Sequence, residues 1–403
     1  MSFKSFDCDV IVAGGGPTGL LTAFLCAEAG IEARVFEAQK DVALDLRATS
    51  FHPPTLDMLD AHGITDELIA QGIITTSWQV RLHPSGERAV FDLATIKGDV
   101  RHPFRLQCEQ WRLQRVLVAR IAKQDKASVE FGRRVTGFTQ DSDGVTVTVE
   151  GGAQGTETLR ARILVGADGL HSAVRQSAGI PFEGEAFPET TLVVTTTFPY
   201  DQYMEGIGIV CSCWTEKGNL AFLRLKDYWR LAVYLKEDRS IEEQITPEGV
   251  EAALQEVISV PEKYPVLRAW PYKVNQRIVP TYNVGRAVLV GDSAHVNSPA
   301  GALGLNGGIH EAFELVAALV DVLKHGAPLD RFDLYTRRRR PVVAEEILGQ
   351  AKRNRNRMRE KDPNERRRLL AELQAITSDP ERHHAYVRKA SMIDGLRMAT
   401  AIT

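Results

Sequence analysis

The sequence predicts an α/β protein in three parts: an α/β frame, an antiparallel β-sheet inserted into that frame, and a helical C-terminal region. Three observations predict it. Residues 9–37 read strand, glycine-rich turn, helix, strand, within the shortest span a βαβ unit allows. From about 185 to 236 the texture changes to short β-branched and aromatic runs separated by turns. Residues 331–403 keep helical spacing with few β-branched runs. On this basis residues 1–75, 100–182 and 272–325 form the frame. Residues 76–99 and 183–271 form the inserted sheet, and 326–403 the helical region.

Each element has its own signal. Asp9 to Ala13 is a short apolar strand, and Leu20 to Gly30 an Ala-rich helix stopped by its glycine. Ala33 to Glu37 is the second strand. Pro53-Pro54 opens a helical pattern that runs to about 71. Residues 78–92 alternate around Pro84-Ser85-Gly86, which predicts a hairpin. Helix returns over 108–124, then three strand-like runs reach 150, and Arg162 to Gly166 is a short buried strand. In the inserted segment the strand runs are 190–198, 207–213, 220–225 and 230–235. The frame resumes with Ala287 to Val290, a glycine-rich loop, and a helix over 303–324.

Composition bounds the function. The 403 residues exceed one ordinary domain of about 100–200 residues. Hydrophobic residues at 44% and charged residues at 25% exclude a disordered, collagenous or disulfide-scaffold chain. No apolar run approaches the ~18 residues of a spanning helix, since Leu315 to Leu323 contains Asp321. Residues 1–8 lead straight into a strand without the pattern of a signal peptide. Five scattered cysteines suit a reducing cytoplasm rather than a disulfide framework or a zinc site. The net charge of −3 implies no polyanionic partner. Residues 324–403 carry 19 Lys and Arg against 11 Asp and Glu, interleaved at helical spacing, which reads as a solvated helical layer.

Four motifs carry chemistry. Gly14-Gly15-Gly16-Pro17-Thr18-Gly19 is a G-x-G-x-x-G between strand and helix. Gly14 permits the tight turn, Gly16 lets the backbone approach a pyrophosphate, and Gly19 lets helix and strand pack closely. The helix start supplies free N–H groups and a positive dipole end. Glu37, ending the second strand, would accept hydrogen bonds from an adenosine ribose and repel a 2′-phosphate. The fit is a Rossmann-like site for FAD or NAD, not NADP. The second motif, Asp168-Gly169 with Ser172 and Arg175 downstream, also reads as a plain helix-capping turn. The third, Gly291-Asp292-Ser293-Ala294-His295, places a carboxylate at the end of a strand, where open α/β sheets bind ligands. The fourth, Ser298 to Gly308, is a glycine-rich loop that aims a second helix N-terminus at an acceptor or developing anion.

In this order and spacing the chain resembles the class A, single-component FAD-dependent aromatic monooxygenases, the para-hydroxybenzoate hydroxylase-like family. The resemblance covers residues 7–325 clearly and the tail loosely. It implies a glutathione-reductase-type FAD-binding domain for the frame and a substrate-binding role for the inserted sheet. It implies non-covalent FAD held by Gly14, Gly16, Pro17, Thr18, Gly19, Glu37, Asp168, Gly169 and Asp292. Arg47 would contact FAD, Gln107 would lie near the flavin side chain, and Pro299, Gly304, Leu305 and Asn306 would face the ring. Pro299 and His295 are the catalytic-site residues it implies, with His295 as a supporting group rather than the base. NADH or NADPH would reduce the flavin, O₂ would form a C4a-hydroperoxide, and a small phenolic or N-heteroaromatic substrate would be hydroxylated. A homodimer is compatible with the family. No nucleic acid and no membrane anchor are expected. The chain departs from the family at Glu311-Ala312, where Asp-Ala is usual, and at Ala302, where glycine is common.

Weaker candidates remain open. The bases or relays for a phenol proton are His52, His83, Tyr200, Tyr203, Tyr234, Tyr272 and His295, and spacing selects none. Arg224 and Arg230 would hold a substrate carboxylate or face solvent. Cys211 and Cys213 share one strand face, as small core residues do. The Arg337 to Arg340 run lacks interleaved aromatics for nucleic acid. Two other functions share these motifs: an FAD-dependent reductase or epoxidase of a non-aromatic substrate, and a flavin-binding protein without turnover.

Overall fold

Two eight-stranded sheets organise the computed structural model, which describes residues 5–44, 48–153, 155–216, 218–236 and 238–403. The first sheet runs Asn283–Val284, Ala287–Leu289, Thr156–Gly166, Cys8–Ala13, Ala33–Glu37, Ala127–Phe131. The five strands from Ala287–Leu289 to Ala127–Phe131 are parallel to one another. The Cys8–Ala13 strand at its centre carries a continuous apolar run because helices cover both faces of a parallel sheet. Arg133–Gln140 and Val145–Gly151 branch from it as an antiparallel flap on Thr156–Gly166. The Pro17–Glu28 and Leu303–Lys324 helices pack against one another over this core.

The second sheet runs His295–Val296, Val266–Ile278, Glu183–Thr196, Trp229–Tyr234, Asn219–Arg224, Val210–Thr215, Ser77–His83, Arg88–Asp92. The expected hairpin and the expected inserted strands thus join into one sheet. It departs from the expectation in two ways. Val210–Thr215 and Ser77–His83 pair parallel, so the sheet is not wholly antiparallel. The 13-residue Val266–Ile278 strand has no counterpart in the sequence reading, because Pro271 and its charged neighbours mask it. Pro271 is tolerated there because the strand is an edge over most of its length. Beyond Glu183–Thr196 its other neighbour pairs only Arg277 and Ile278.

Alternation gives this sheet two faces. Leu192, Val194, Leu220 and Leu231 point to one side, where Val250 and Leu254 of the Pro247–Gln255 helix cover them. Each such fully buried side chain contributes about 1.5–3 kcal/mol. Val193, Ala221, Ala232 and Trp270 point to the other side, toward the first sheet.

The C-terminal helices do not form a detached layer. Leu370, Leu373, Val387 and Ile393 pack on Val80, Phe91 and Trp214 of the second sheet. Arg331–Val342 carries Pro341 in its last turn, and the helix continues as one π-helical stretch, Val343–Leu348. A proline lacks the N–H that an α-helical turn needs, which accounts for the change of winding there. Among the described residues no helix is long and apolar enough to cross a membrane.

Candidate active site

The glycine turn is built by close contacts. Gly14 adopts φ +100°, and a Cβ there would lie 2.4 Å from the carbonyl oxygen of Ala167. A Cβ on Gly19 would lie 2.1 Å from the oxygen of Gly14, so the helix can pack this near only with glycine. Gly16 differs: nothing lies within 4 Å of a Cβ placed on it, and it borders an open cleft. Pro17 follows as the first helical residue, and no side chain caps this helix. Its first N–H groups therefore face the cleft unclaimed. Glu37 borders the same cleft, with Oε2 accepting from Gly15 N at 2.6 Å and Oε1 from Gln39 N at 2.7 Å. Pro17 and Thr18 also border it, whereas Gly19 serves packing alone.

Two further loops meet at this cleft. Asp168 uses Oδ2 to accept from Ala173 N at 2.7 Å and Val174 N at 3.2 Å, while Oδ1 is buried without a partner. Burial pushes its pKa up. Arg175 spans the two motif loops, donating from Nη1 to Ser293 O at 3.1 Å and from Nη2 to Leu170 O at 3.0 Å. Its guanidinium lies 4.1 Å over the Phe182 ring. Gly169 and Asp292 also line the cleft, with Asp292 exposed toward it.

Pro299, Gly304 and Leu305 line the cleft from the fourth motif. Ala302, where glycine was expected, sits at φ +58°, in the left-handed region, and begins the Leu303–Lys324 helix without a side-chain cap. Asn306 does not face the cleft. It is fully buried, accepts from His52 N at 2.8 Å, and donates to Ser50 O and Ala302 O at 2.9 and 2.7 Å. It is the clamp between loop and frame. His52 adds to this clamp through Nε2 and Gly301 O, 2.9 Å apart.

Asn306, and Gln107 below, depart from their expected places, whereas His295 sits as a supporting group rather than a base would. His295 does not line the cleft; it is fully buried, with Nε2 2.8 Å from Oε1 of Glu311. Oε2 of Glu311 accepts from Gly291 N at 2.8 Å. The Asp-to-Glu departure thus occupies a buried joint between the Gly-Asp loop and the helix. Gln107 is likewise buried, its Oε1 accepting from the Ser50 hydroxyl at 2.5 Å. The glutamine that lines the cleft is Gln110, at the start of the Gln110–Ile121 helix. The strand Arg105–Gln107 turns the side chain at 107 inward, and three residues later the helix turns one outward. Arg47 lies outside the described residues.

The cleft is one continuous cavity of about 1120 Å³, running from the glycine turn to the second sheet. There a complete cross-strand row faces it: Val80, Ser212, Ala221, Ala232, Val193 and Trp270, each paired to the next. The adjacent row is Tyr234, Thr191 and Tyr272. Of the candidate bases only these two tyrosines reach the cavity. His83 bonds Val257 O at 3.0 Å, Tyr200 is buried in an aromatic cluster that raises its pKa, and Tyr203 is half exposed. Arg230 lines the cavity, while Arg224 stacks on Trp229. Sequence reasoning missed Trp78, Arg105 and the contributions of the C-terminal helices, Asn354, Arg357, Tyr386 and Lys389. No local motif marks them; only the fold brings them here.

The residues fit FAD. Gly16 is bare where a diphosphate would need room, an uncapped helix start faces that room, and Glu37 and Asp292 offer acceptors for hydroxyl groups. Comparison with known proteins agrees. Residues 7–350 match the FAD binding domain family. The chain is 31% identical over 393 residues to para-nitrophenol 4-monooxygenase of Pseudomonas sp. strain WBC-3, covering 96% of each protein. It is 29% identical to 6-hydroxy-3-succinoylpyridine 3-monooxygenase HspB of Pseudomonas putida, covering 88% of this chain and 90% of that protein. The crystal structure of p-nitrophenol 4-monooxygenase PnpA from Pseudomonas putida DLL-E4 superposes with a TM-score of 0.90 at 28% identity, covering 98% of this chain and 99% of that one. The chain belongs to the FAD binding domain family and, within it, to the single-component FAD-dependent aromatic monooxygenases.

Proposed function

We propose that this enzyme hydroxylates a small phenol or hydroxylated N-heteroaromatic ring, with NADH or NADPH as reductant. In balance, NAD(P)H, a proton, O₂ and the ring C–H give NAD(P)⁺, water and the ring C–OH. The observation that carries the reading is the continuity of one cavity from the glycine turn to an apolar sheet face. The relatives with substrates of this kind, a nitrophenol and a hydroxypyridine, support it.

FAD, when bound, would supply the two-electron activation of O₂, from which one oxygen atom goes to the ring and the other leaves as water. The protein's residues supply the setting. Gly16 and the Pro17–Glu28 helix start would hold the diphosphate. The uncapped helix start at Leu303 presents N–H groups and a positive dipole end toward negative charge on the reduced ring system. Val193, Ala221, Ala232 and Trp270 exclude water from the reacting face. Pro299 has its φ fixed and limits the motion of the loop that borders the same space. Tyr234 and Tyr272, flanking Thr191, are the hydroxyls that accept a hydrogen bond from the substrate's ring hydroxyl and relay its proton outward.

The test is a panel of phenols, hydroxypyridines and quinolones, scored by stimulated NAD(P)H consumption and product mass. A substrate that accelerates consumption and gains the mass of one oxygen supports the reading. Consumption indifferent to every ring compound would leave a flavin-binding protein without aromatic turnover.

A further inference from the structure

The charges lining the cavity are divided. Its three acids among the described residues, Glu37, Asp168 and Asp292, belong to the glycine turn and the two motif loops. The part walled by the second sheet and the C-terminal helices presents basic side chains, among them Arg105, Arg230, Lys273, Arg353, Arg355, Arg357 and Lys389. Lys389 has Glu346 3.6 Å away, and Arg357 donates to the Tyr386 hydroxyl at 3.0 Å.

Arg105 stands apart. It is 6% exposed and has no carboxylate partner among the described residues. Its Nε is buried without a hydrogen bond, and Nη2 makes one long contact, 3.3 Å, to Ala390 O. Burial lowers its pKa to about 10, which leaves it charged at neutral pH. Its neighbour His52 is pushed well below the usual range, by burial first and by Arg105 second, and so stays neutral. A buried charge of this kind is costly unless something completes it. Its placement is also firm. The guanidinium carbon lies 4.3 Å over Trp78, Trp78 stacks on Phe91 at 5.0 Å, and Phe91 stacks on Tyr386 at 4.6 Å. A planar guanidinium held on an aromatic shelf offers its fork to a planar group with two oxygens.

Resting on the aromatic-substrate reading above, we propose that Arg105 is a specificity-determining residue that selects rings bearing a negatively charged two-oxygen group, a carboxylate or the nitro group of a nitrophenolate. The second oxygen completes the pairing that the buried Nε lacks. The ring then lies along the apolar row of the sheet, with its other end toward the fourth-motif loop.

The test titrates the FAD-loaded enzyme, above neutral pH, with 4-hydroxybenzoate, 4-nitrophenolate and 4-hydroxybenzamide, following the flavin absorbance. The anions should bind the wild type roughly ten- to a hundredfold more tightly than the amide, the range of one charge-assisted contact. The better of the two anions identifies which source of the two-oxygen group the site takes. Arg105→Met should remove the preference while FAD stays bound. Should that variant lose FAD, Arg105→Lys decides, because it keeps the charge without the fork and must weaken the preference. Equal binding of anions and amide by the wild type, or a preference that survives undiminished in an FAD-loaded variant, overturns the role of Arg105. Turnover of rings without such preference overturns this role alone. A wild type that neither binds nor turns over any ring overturns the aromatic-substrate reading as well.

Discussion

Nε2 of His295 lies 2.8 Å from Oε1 of Glu311, with both side chains fully buried and neither on the cavity wall. The pair joins the Gly-Asp loop to the helix that begins beneath the fourth motif, because the other Glu311 oxygen receives Gly291 N. A family-typical histidine beside a catalytic loop can therefore act through geometry and never meet the substrate.

That placement gives the first prediction. Glu311→Ala strands a backbone N–H and a ring nitrogen in the interior and should cost about 3–5 kcal/mol in chemical denaturation, as breaking a buried pair does. His295→Gln, where it retains FAD, should keep the pH profile of hydroxylation. A shifted profile would return His295 to proton transfer.

The two kinds of motif glycine should separate. Gly16→Val projects into open cleft, so the variant should fold and purify without FAD. Gly19→Ala drives a Cβ against the Gly14 carbonyl and should lose at least about 1–3 kcal/mol of stability, the range for overpacking. Absorbance for bound flavin and denaturant midpoints distinguish the outcomes. A Gly16→Val protein with full FAD would remove the diphosphate from this turn.

Ala302 holds a left-handed backbone with a side chain that disfavours it. Ala302→Gly should raise unfolding free energy by about 0.5–1 kcal/mol, strain relief outweighing the added freedom of the unfolded chain. A loss of stability would mean the loop is not wound this way.

His310 is buried against the Thr55 hydroxyl, 2.9 Å away, and burial pushes its pKa down to about 3. The unfolded chain binds this proton near the ordinary histidine value and the folded chain does not. Its contribution is therefore fully present above about 6.5 and is lost as pH falls from there toward 3, at about 1.4 kcal/mol per pH unit for this one group. Denaturation midpoints between neutral and mildly acid pH should fall, and His310→Gln should flatten the slope. An unchanged slope in that variant would show that His310 is not the group responsible.

Much of the frame was legible because its signals are local. Strand, glycine, helix and acid occur in sequence from Asp9 to Glu37, and each glycine has a backbone reason that the chain itself supplies. The sheet was legible where β-branched runs alternate, and its cavity face follows from their period. Val266–Ile278 was hidden because an edge strand tolerates Pro271, which normally argues against a strand. The sequence points to Gln107, and Gln110 lines the cavity instead, since three residues decide which side of a short strand-to-helix junction a side chain takes. Arg105, Tyr386 and Lys389 were invisible for another reason. They come from a three-residue strand and a late helix that only long-range packing unites, and the Arg-rich C-terminal texture looks solvated when read alone.

In the proposed reaction one cavity takes FAD at the glycine turn and an aromatic ring at the sheet, so that oxygen passes from O₂ to the ring under water exclusion. Turnover of the best panel substrate with NAD(P)H under ¹⁸O₂ tests it most directly. The account predicts one labelled oxygen per product molecule and no label when ¹⁸O is supplied as water. Label arriving from water, or NAD(P)H oxidised without oxygen entering the ring, would contradict it.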